Sequence, residues 1–125
     1  MPITFDFDPD TLVLTEVASG QVSPAEFASN LARFEAILPE GAAIRVLSDY
    51  RLVEAQFSYP EISLMKQSTN AMLMKQNASA RTALVVNEKI QYGLARIYSM
   101  VEDTEAFEVG VFNDLGEARL WLGLD

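Results

Sequence analysis

The 125 residues contain no cysteine and no histidine. Without cysteine the chain has no disulfide, no thiol nucleophile and no thiolate metal ligand. Without histidine it lacks Ser-His-Asp chemistry, the usual zinc sites and the commonest general base near neutral pH. An enzyme built on this chain would have to work with Asp, Glu, Lys, Tyr or Arg. Positive charge is scarce as well: nine Lys and Arg stand against eighteen Asp and Glu, a net charge of −9. The nine cations are scattered. Nucleic acids and anionic membrane surfaces both demand clustered cations, so neither is an expected partner. No apolar run approaches the roughly 18 residues of a membrane-spanning helix. The stretch Met1-Pro2-Ile3-Thr4-Phe5-Asp6 has neither the basic region nor the long apolar core of a signal peptide. A cytoplasmic protein is expected. The six glycines are isolated, so there is no Gly-x-Gly-x-x-Gly and no phosphate loop, and no cofactor or metal is implied.

Half of the residues are hydrophobic and 22% are charged, a globular balance. No linker or repeat interrupts the chain, so residues 1–125 are expected to form one domain. Ile3, Phe5 and Phe7 alternate with Thr4, Asp6 and Asp8, the period of a half-buried strand. Asp8-Pro9-Asp10-Thr11 is turn chemistry, and Leu12 to Val17 reads as the second strand of a hairpin. Ser23-Pro24-Ala25-Glu26 is a helix start, with Ser23 capping Glu26 and Pro24 at the first helical position. Phe27, Leu31, Phe34 and Ile37, with Leu38, then form one apolar stripe before Pro39 and Gly41 end the helix.

Ala43 to Leu47 is expected as a short strand ending in Ser48-Asp49-Tyr50-Arg51. A second helix should start near Ser58 and run to about Gln76, broken by Asn77-Ala78-Ser79. Ala83 to Val86 is a continuous apolar run, as in a strand covered on both faces. Asn87-Glu88 leads into a helix carrying Ile90, Leu94, Ile97 and Val101. Phe107, Val109 and Val111 mark a last strand, and Asn113 or Asp114 caps a final helix with Leu115, Ala118 and Leu122 inward and Trp121 beside them. The order is β-β-α-β-α-β-α-β-α. It predicts an α/β fold with a mostly parallel five-stranded sheet and an antiparallel N-terminal edge strand.

This order resembles the STAS superfamily, the anti-sigma-factor antagonist fold, and in particular its small SpoIIAA-like bacterial members. The segment from Phe107 to Leu122 resembles the closing strand and helix of those proteins, where a strand ends in Phe and an acidic turn and an Ala-x-x-Trp-Leu helix packs back on the sheet. The resemblance implies a non-enzymatic protein-interaction or regulatory domain. Those antagonists carry an Asp-Ser-Ser/Thr-Gly-type phosphorylation motif where a loop enters the second main helix. Here that region reads Gln56-Phe57-Ser58-Tyr59-Pro60-Glu61, with Ser58 near the expected place but without the preceding acid and following glycine. Ser58 is thus either a modification site or simply an N-cap.

Three further candidates emerge. Asp49, Arg51 and Asn87 follow parallel strands, where open α/β sheets bind ligands, and either converge as a polar cluster or merely shape loops. The sets Asp6/Asp8/Asp10 and Glu102/Asp103/Glu105 read as solvated charge, since the first lacks the glycine and glutamate of a calcium loop. On the second helix, Ile62, Met65, Met72 and Leu73 share one face, whereas Leu64, Ala71 and Met74 fall on another that a surface helix normally keeps polar. Such an extra apolar face either meets a neighbouring helix or binds a partner, a second copy of the chain or another protein. The competing expectation is a carrier of a small apolar or amphipathic ligand lined by Met65, Met72, Tyr92, Tyr98 and Trp121. An enzyme using Asp49, Arg51 and Tyr50 or Tyr59 ranks last.

Overall fold

The structure is a computed structural model that describes residues 3–54, 58–89, 93, 97 and 104–124. The Asp8 carboxylate sets the first turn by accepting the N–H groups of Asp10 (2.9 Å) and Thr11 (3.4 Å). These bonds hold its carboxyl below the usual range. The turn joins β1 (Ile3–Asp8) to an antiparallel β2 (Val13–Gly20). Leu12 closes it at φ 58°, a left-handed conformation that costs a non-glycine residue about 1–2 kcal/mol. There its side chain packs against the core and its carbonyl accepts the Arg45 N–H at 3.1 Å.

Helix α1 (Pro24–Glu35) starts at Ser23, whose hydroxyl accepts the Glu26 N–H at 3.1 Å and donates to the Glu26 carboxylate at 3.2 Å. It ends earlier than the apolar stripe implied. The chain turns at Ala36, the helical period is lost, and Leu38 rather than Ile37 enters the core, leaving Ile37 exposed. β3 (Ala43–Val53) is longer than expected, so Ser48 to Arg51 lie within the strand rather than beyond its end. Helix α2 (Tyr59–Lys75) has Ser58 at its N-cap. Asn77, at φ 52°, turns the chain into β4 (Ser79–Val85). β5 (Phe107–Phe112) and α3 (Leu115–Leu122) close the fold, with Asp114 capping Glu117 at 2.8 Å and Gly123 ending the helix at φ 74°. Arg45 donates to the carbonyls of Leu122 (3.3 Å) and Gly123 (3.2 Å), which places a cation at the negative end of α3. Between β4 and β5, Glu88, Lys89, Gly93 and Ile97 are helical. Gln56, Phe57, Ile90, Tyr92, Leu94, Tyr98, Val101, Glu102 and Asp103 lie outside the described residues.

The five strands run in the order β1-β2-β3-β4-β5, with β2 to β5 parallel. Successive right-handed crossovers in one direction put their helices on one face. Phe34 and Leu38 from the α1 region and Met72 and Leu73 of α2 accordingly share a core with Leu14, Ile44, Val46 and Ala80. On the opposite face Ala118 and Leu122 of α3 pack on Leu47, Ala83 and Val85. The fold is the expected α/β arrangement with an antiparallel edge strand. One irregularity matters. Val17 pairs with Asp49 but Ser19 pairs with Leu52, so β3 carries one extra residue there. The bulge reverses which side faces in: Val53 becomes buried and Leu52 exposed.

Candidate functional site

Alternation along β2 puts Leu14, Glu16 and Ala18 toward α1 and α2, and alternation along β3 does the same for Ile44, Val46, Ser48 and Tyr50. Glu16 and Ser48 are direct partners in register. Helix α1 adds Asn30, one turn before Phe34, and α2 adds Lys66 on the stripe of Ile62 and Leu73. Glu16, Asn30, Ser48 and Lys66 are only 8%, 6%, 4% and 5% exposed. The fold thus buries a polar layer between its helices and the carboxyl-terminal half of its sheet. Asn30 Nδ2 donates to Glu16 Oε2 at 2.7 Å, and Tyr50 and Ser48 also hydrogen-bond that carboxyl. Burial pushes the Glu16 carboxyl above its ordinary value, and the hydrogen bonds from Tyr50, Ser48 and Asn30 oppose the rise without cancelling it. Two buried acceptors, Asn30 Oδ1 and Glu26 Oε2, meet no donor among the described residues.

Of these residues only Tyr50 was expected at a site, as an alternative in the last-ranked enzyme; Glu16, Asn30, Ser48 and Lys66 were not singled out. Their signal is a conflict of periods: each is a polar residue at an inward position of an otherwise apolar pattern. Val17, which looks like the core residue, is exposed, while its neighbour Glu16 is buried.

The residues expected to form a polar cluster are brought together in part. Asp49 accepts from Arg51 Nε (2.9 Å), Nη2 (2.8 Å) and the Arg51 backbone N–H (3.2 Å). The Arg51 guanidinium therefore holds the Asp49 carboxyl below the usual range, and Asp49, with a weaker contribution from Asp114, raises Arg51. Asn87 lies two residues beyond Val85, the register partner of Asp49. The strand order never reverses, so the sheet lacks the switch point at which such crevices open. Tyr50 faces the buried layer with Glu16, and Tyr59 is an exposed residue of the first turn of α2. The side chains named for an enzyme are therefore divided: Tyr50 is on the α1–α2 side, whereas Asp49 alternates to the other.

The expected ligand pocket is also divided. Met72 packs in the core beneath α1 and α2, whereas Trp121 packs on the other side of the sheet with Phe112, ring centroids 5.4 Å apart. Arg81 stacks over the Trp121 ring at 3.9 Å and pairs with Glu108 at 2.7 Å. The sheet stands between Met72 and Trp121, so they cannot line one cavity. Tyr92 and Tyr98 lie outside the described residues.

The outer side of α2 is open. At 100° per residue, Pro60, Leu64, Gln67, Ala71 and Met74 lie opposite the buried stripe of Ile62, Lys66 and Leu73. Leu64 and Met74 are each 63% exposed, and Ala71 is exposed between them. Lys75 flanks this stripe and is paired with Glu35 at 3.4 Å. At the start of α2, Ser58 forms a complete capping box: its hydroxyl accepts the Glu61 N–H (3.4 Å), and Glu61 Oε1 accepts both the Ser58 N–H (3.0 Å) and its hydroxyl (2.8 Å). The Ser58 hydroxyl thus lies against the Glu61 carboxylate, beside which a phosphate would be repelled.

Among the described residues no helix is long and apolar enough to cross a membrane. No family model matches the chain, and no curated protein matches it. Among solved structures it is similar to an uncharacterised protein of the DUF3478 family, with a SpoIIAA-like fold, from Shewanella loihica PV-4. The two share 17% identity and superpose with a TM-score of 0.60, over 96% of this chain and 91% of the other. That likeness carries the arrangement of strands and helices, and with the hairpin, the parallel strands and the closing helix described above, the fold of this chain is SpoIIAA-like.

Proposed function

We propose that the chain is a non-enzymatic, STAS-like interaction module that pairs with a second copy of itself through the outer face of α2. The observation that carries this is the exposure of Leu64 and Met74, 63% each, on the side of α2 opposite its buried stripe. Charge selects the partner. The chain carries −9, so most approaches between two copies are repulsive. The stripe Pro60, Leu64, Gln67, Ala71 and Met74 contains no charge at all. It is the place where two copies meet without bringing like charges together.

The geometry is self-complementary. Leu64 and Met74 are ten residues apart, about 15 Å along a helix. In an antiparallel pair of α2 helices about a two-fold axis, Leu64 of one copy lies over Met74 of the other, as an isologous contact requires. The small Ala71 lies between them and permits close approach of the two backbones. Methionine adapts its shape to whatever faces it.

Sedimentation equilibrium over a range of concentrations tests this. A dimer is expected, and the double variant Leu64→Lys/Met74→Lys should sediment as a folded monomer, its dissociation constant raised at least about 100-fold because two apolar anchors become charges. A wild-type chain that remains monomeric at millimolar concentration, or a dimer indifferent to both substitutions, refutes the proposal.

A further inference from the structure

The buried layer around Glu16 plays no part in pairing through α2, and its composition needs a physical cause. β2, α1, β3 and α2 each place a polar side chain at an inward position there: Glu16, Asn30, Ser48 and Tyr50, and Lys66. An apolar layer of the same shape is commonly as stable or more so. The Glu16 carboxyl is hydrogen-bonded from two elements. Helix α1 contributes Asn30 and carries Glu26 one turn earlier. Strand β3 contributes Ser48 and Tyr50. Helix α2 buries Lys66 on its own sheet-facing stripe. The register partner of Glu16 on β1 is the apolar Phe5.

We propose that this layer is a proton-operated latch between α1 and the sheet, closed when Glu16 is protonated and loosened when it is ionised. The latch is the Glu16–Asn30 contact. As a carboxylate, Glu16 only accepts, and it takes the Asn30 Nδ2 hydrogen bond at 2.7 Å. In that arrangement Asn30 Oδ1 is buried without a donor among the described residues, and so is Glu26 Oε2. A protonated Glu16 carries an O–H. Turning the Asn30 amide over lets Oδ1 accept that O–H, and it frees Nδ2 for Glu26, four residues earlier on the same flank of α1. Both orphaned acceptors then have donors within the layer. Loss of the proton to solvent leaves a charge in a buried layer and restores the orphans, and both effects weaken the seat of α1.

The direction follows from linkage. A carboxyl that binds its proton more tightly in the folded than in the unfolded state adds stability at low pH, and that contribution is lost as pH rises through the folded value. Within that window the opening equilibrium of α1 grows by up to about tenfold per pH unit.

The test is a carbon-detected NMR titration of the Glu16 side chain in the full chain, run with amide hydrogen exchange between pH 5 and 9 and corrected for intrinsic exchange rates. Glu16 is expected to titrate above the ordinary glutamate range. Protection from Phe27 to Phe34 should fall across that transition while α3 stays protected. Glu16→Gln, which cannot ionise, should keep α1 protected at every pH. Titration of Glu16 at an ordinary value overturns the proposal from the wild-type chain alone. An unchanged pH response in Glu16→Gln overturns it as well, by assigning the response to Glu26 or Lys66.

Discussion

Replacing Gly110 by alanine puts a methyl group where two rings already meet. Gly110 lies in β5 beneath α3. A Cβ built on its backbone falls 2.9 Å from Phe112 Cε2, 3.1 Å from Trp121 Cζ2 and 3.2 Å from Phe112 Cζ. Neither ring can withdraw alone. Phe112 and Trp121 pack on each other, and Trp121 is held from beyond by Arg81, which Glu108 anchors in turn. Overpacking of this kind costs about 1–3 kcal/mol. Alanine also restricts the unfolded chain, which returns about 0.4–1 kcal/mol. The clash wins, and Gly110→Ala should lose about 0.5–2 kcal/mol of stability. For a chain of this size, about 1 kcal/mol lowers Tm by about 4 °C. Urea unfolding followed by fluorescence reads this directly, because Trp121 is the only tryptophan. Its emission should change in the folded variant too. Adding Phe112→Leu, which removes the closest atoms, should recover part of the loss, a coupling that a double-mutant cycle isolates. A Gly110→Ala chain as stable as the wild type with unchanged emission refutes the packing account.

Two smaller effects have equally definite signs. Ser58→Ala removes the hydroxyl that caps α2 and should cost about 1 kcal/mol in urea unfolding at neutral pH; no loss would mean that Glu61 alone satisfies the helix start. Arg51 holds the Asp49 carboxyl low, so this pair contributes stability above the unfolded carboxylate value and loses it as pH falls through the folded value. The stability gap between wild type and Asp49→Asn should therefore narrow as urea midpoints are followed from pH 6 toward pH 2, and a constant gap would show that the pair adds nothing.

Most of the architecture was legible because local chemistry and global pattern agree. Ser23 and Ser58 cap the helices they precede, Asp114 caps the last, and the alternation of Ile3, Phe5 and Phe7 faces the core. The misjudged boundaries have local causes. Helix α1 ends in a turn that no proline or glycine marks until Pro39, so a periodic stripe overran it at Ile37. β3 was read too short because Ser48 and Tyr50 are buried polar residues, which end an apolar run in the sequence without ending a strand in space. The polar layer was illegible for the same reason. Its members come from four elements, and a pattern read along one element at a time treats Glu16 or Lys66 as a surface residue. The division of Met72 from Trp121 depends on which sheet face each helix covers: strand order fixes this for α2, a crossover, but not for α3, which follows the last strand. The exposed stripe on α2 was visible from spacing, because the apolar residues of that helix exceed what one buried face can hold.

The strand order of this sheet is also its order of synthesis. Each strand bonds to the strand made just before it, so none has to wait for a partner from the far end of the chain. Residues emerge at about 5–20 per second, whereas a hairpin forms in about 1–10 microseconds. The β1–β2 hairpin is thus available as a template long before β3 leaves the ribosome, and each later strand arrives at an edge already built. A nascent chain of this topology has one growing edge, and until β5 is reached the strand that covers it is the next strand to be translated.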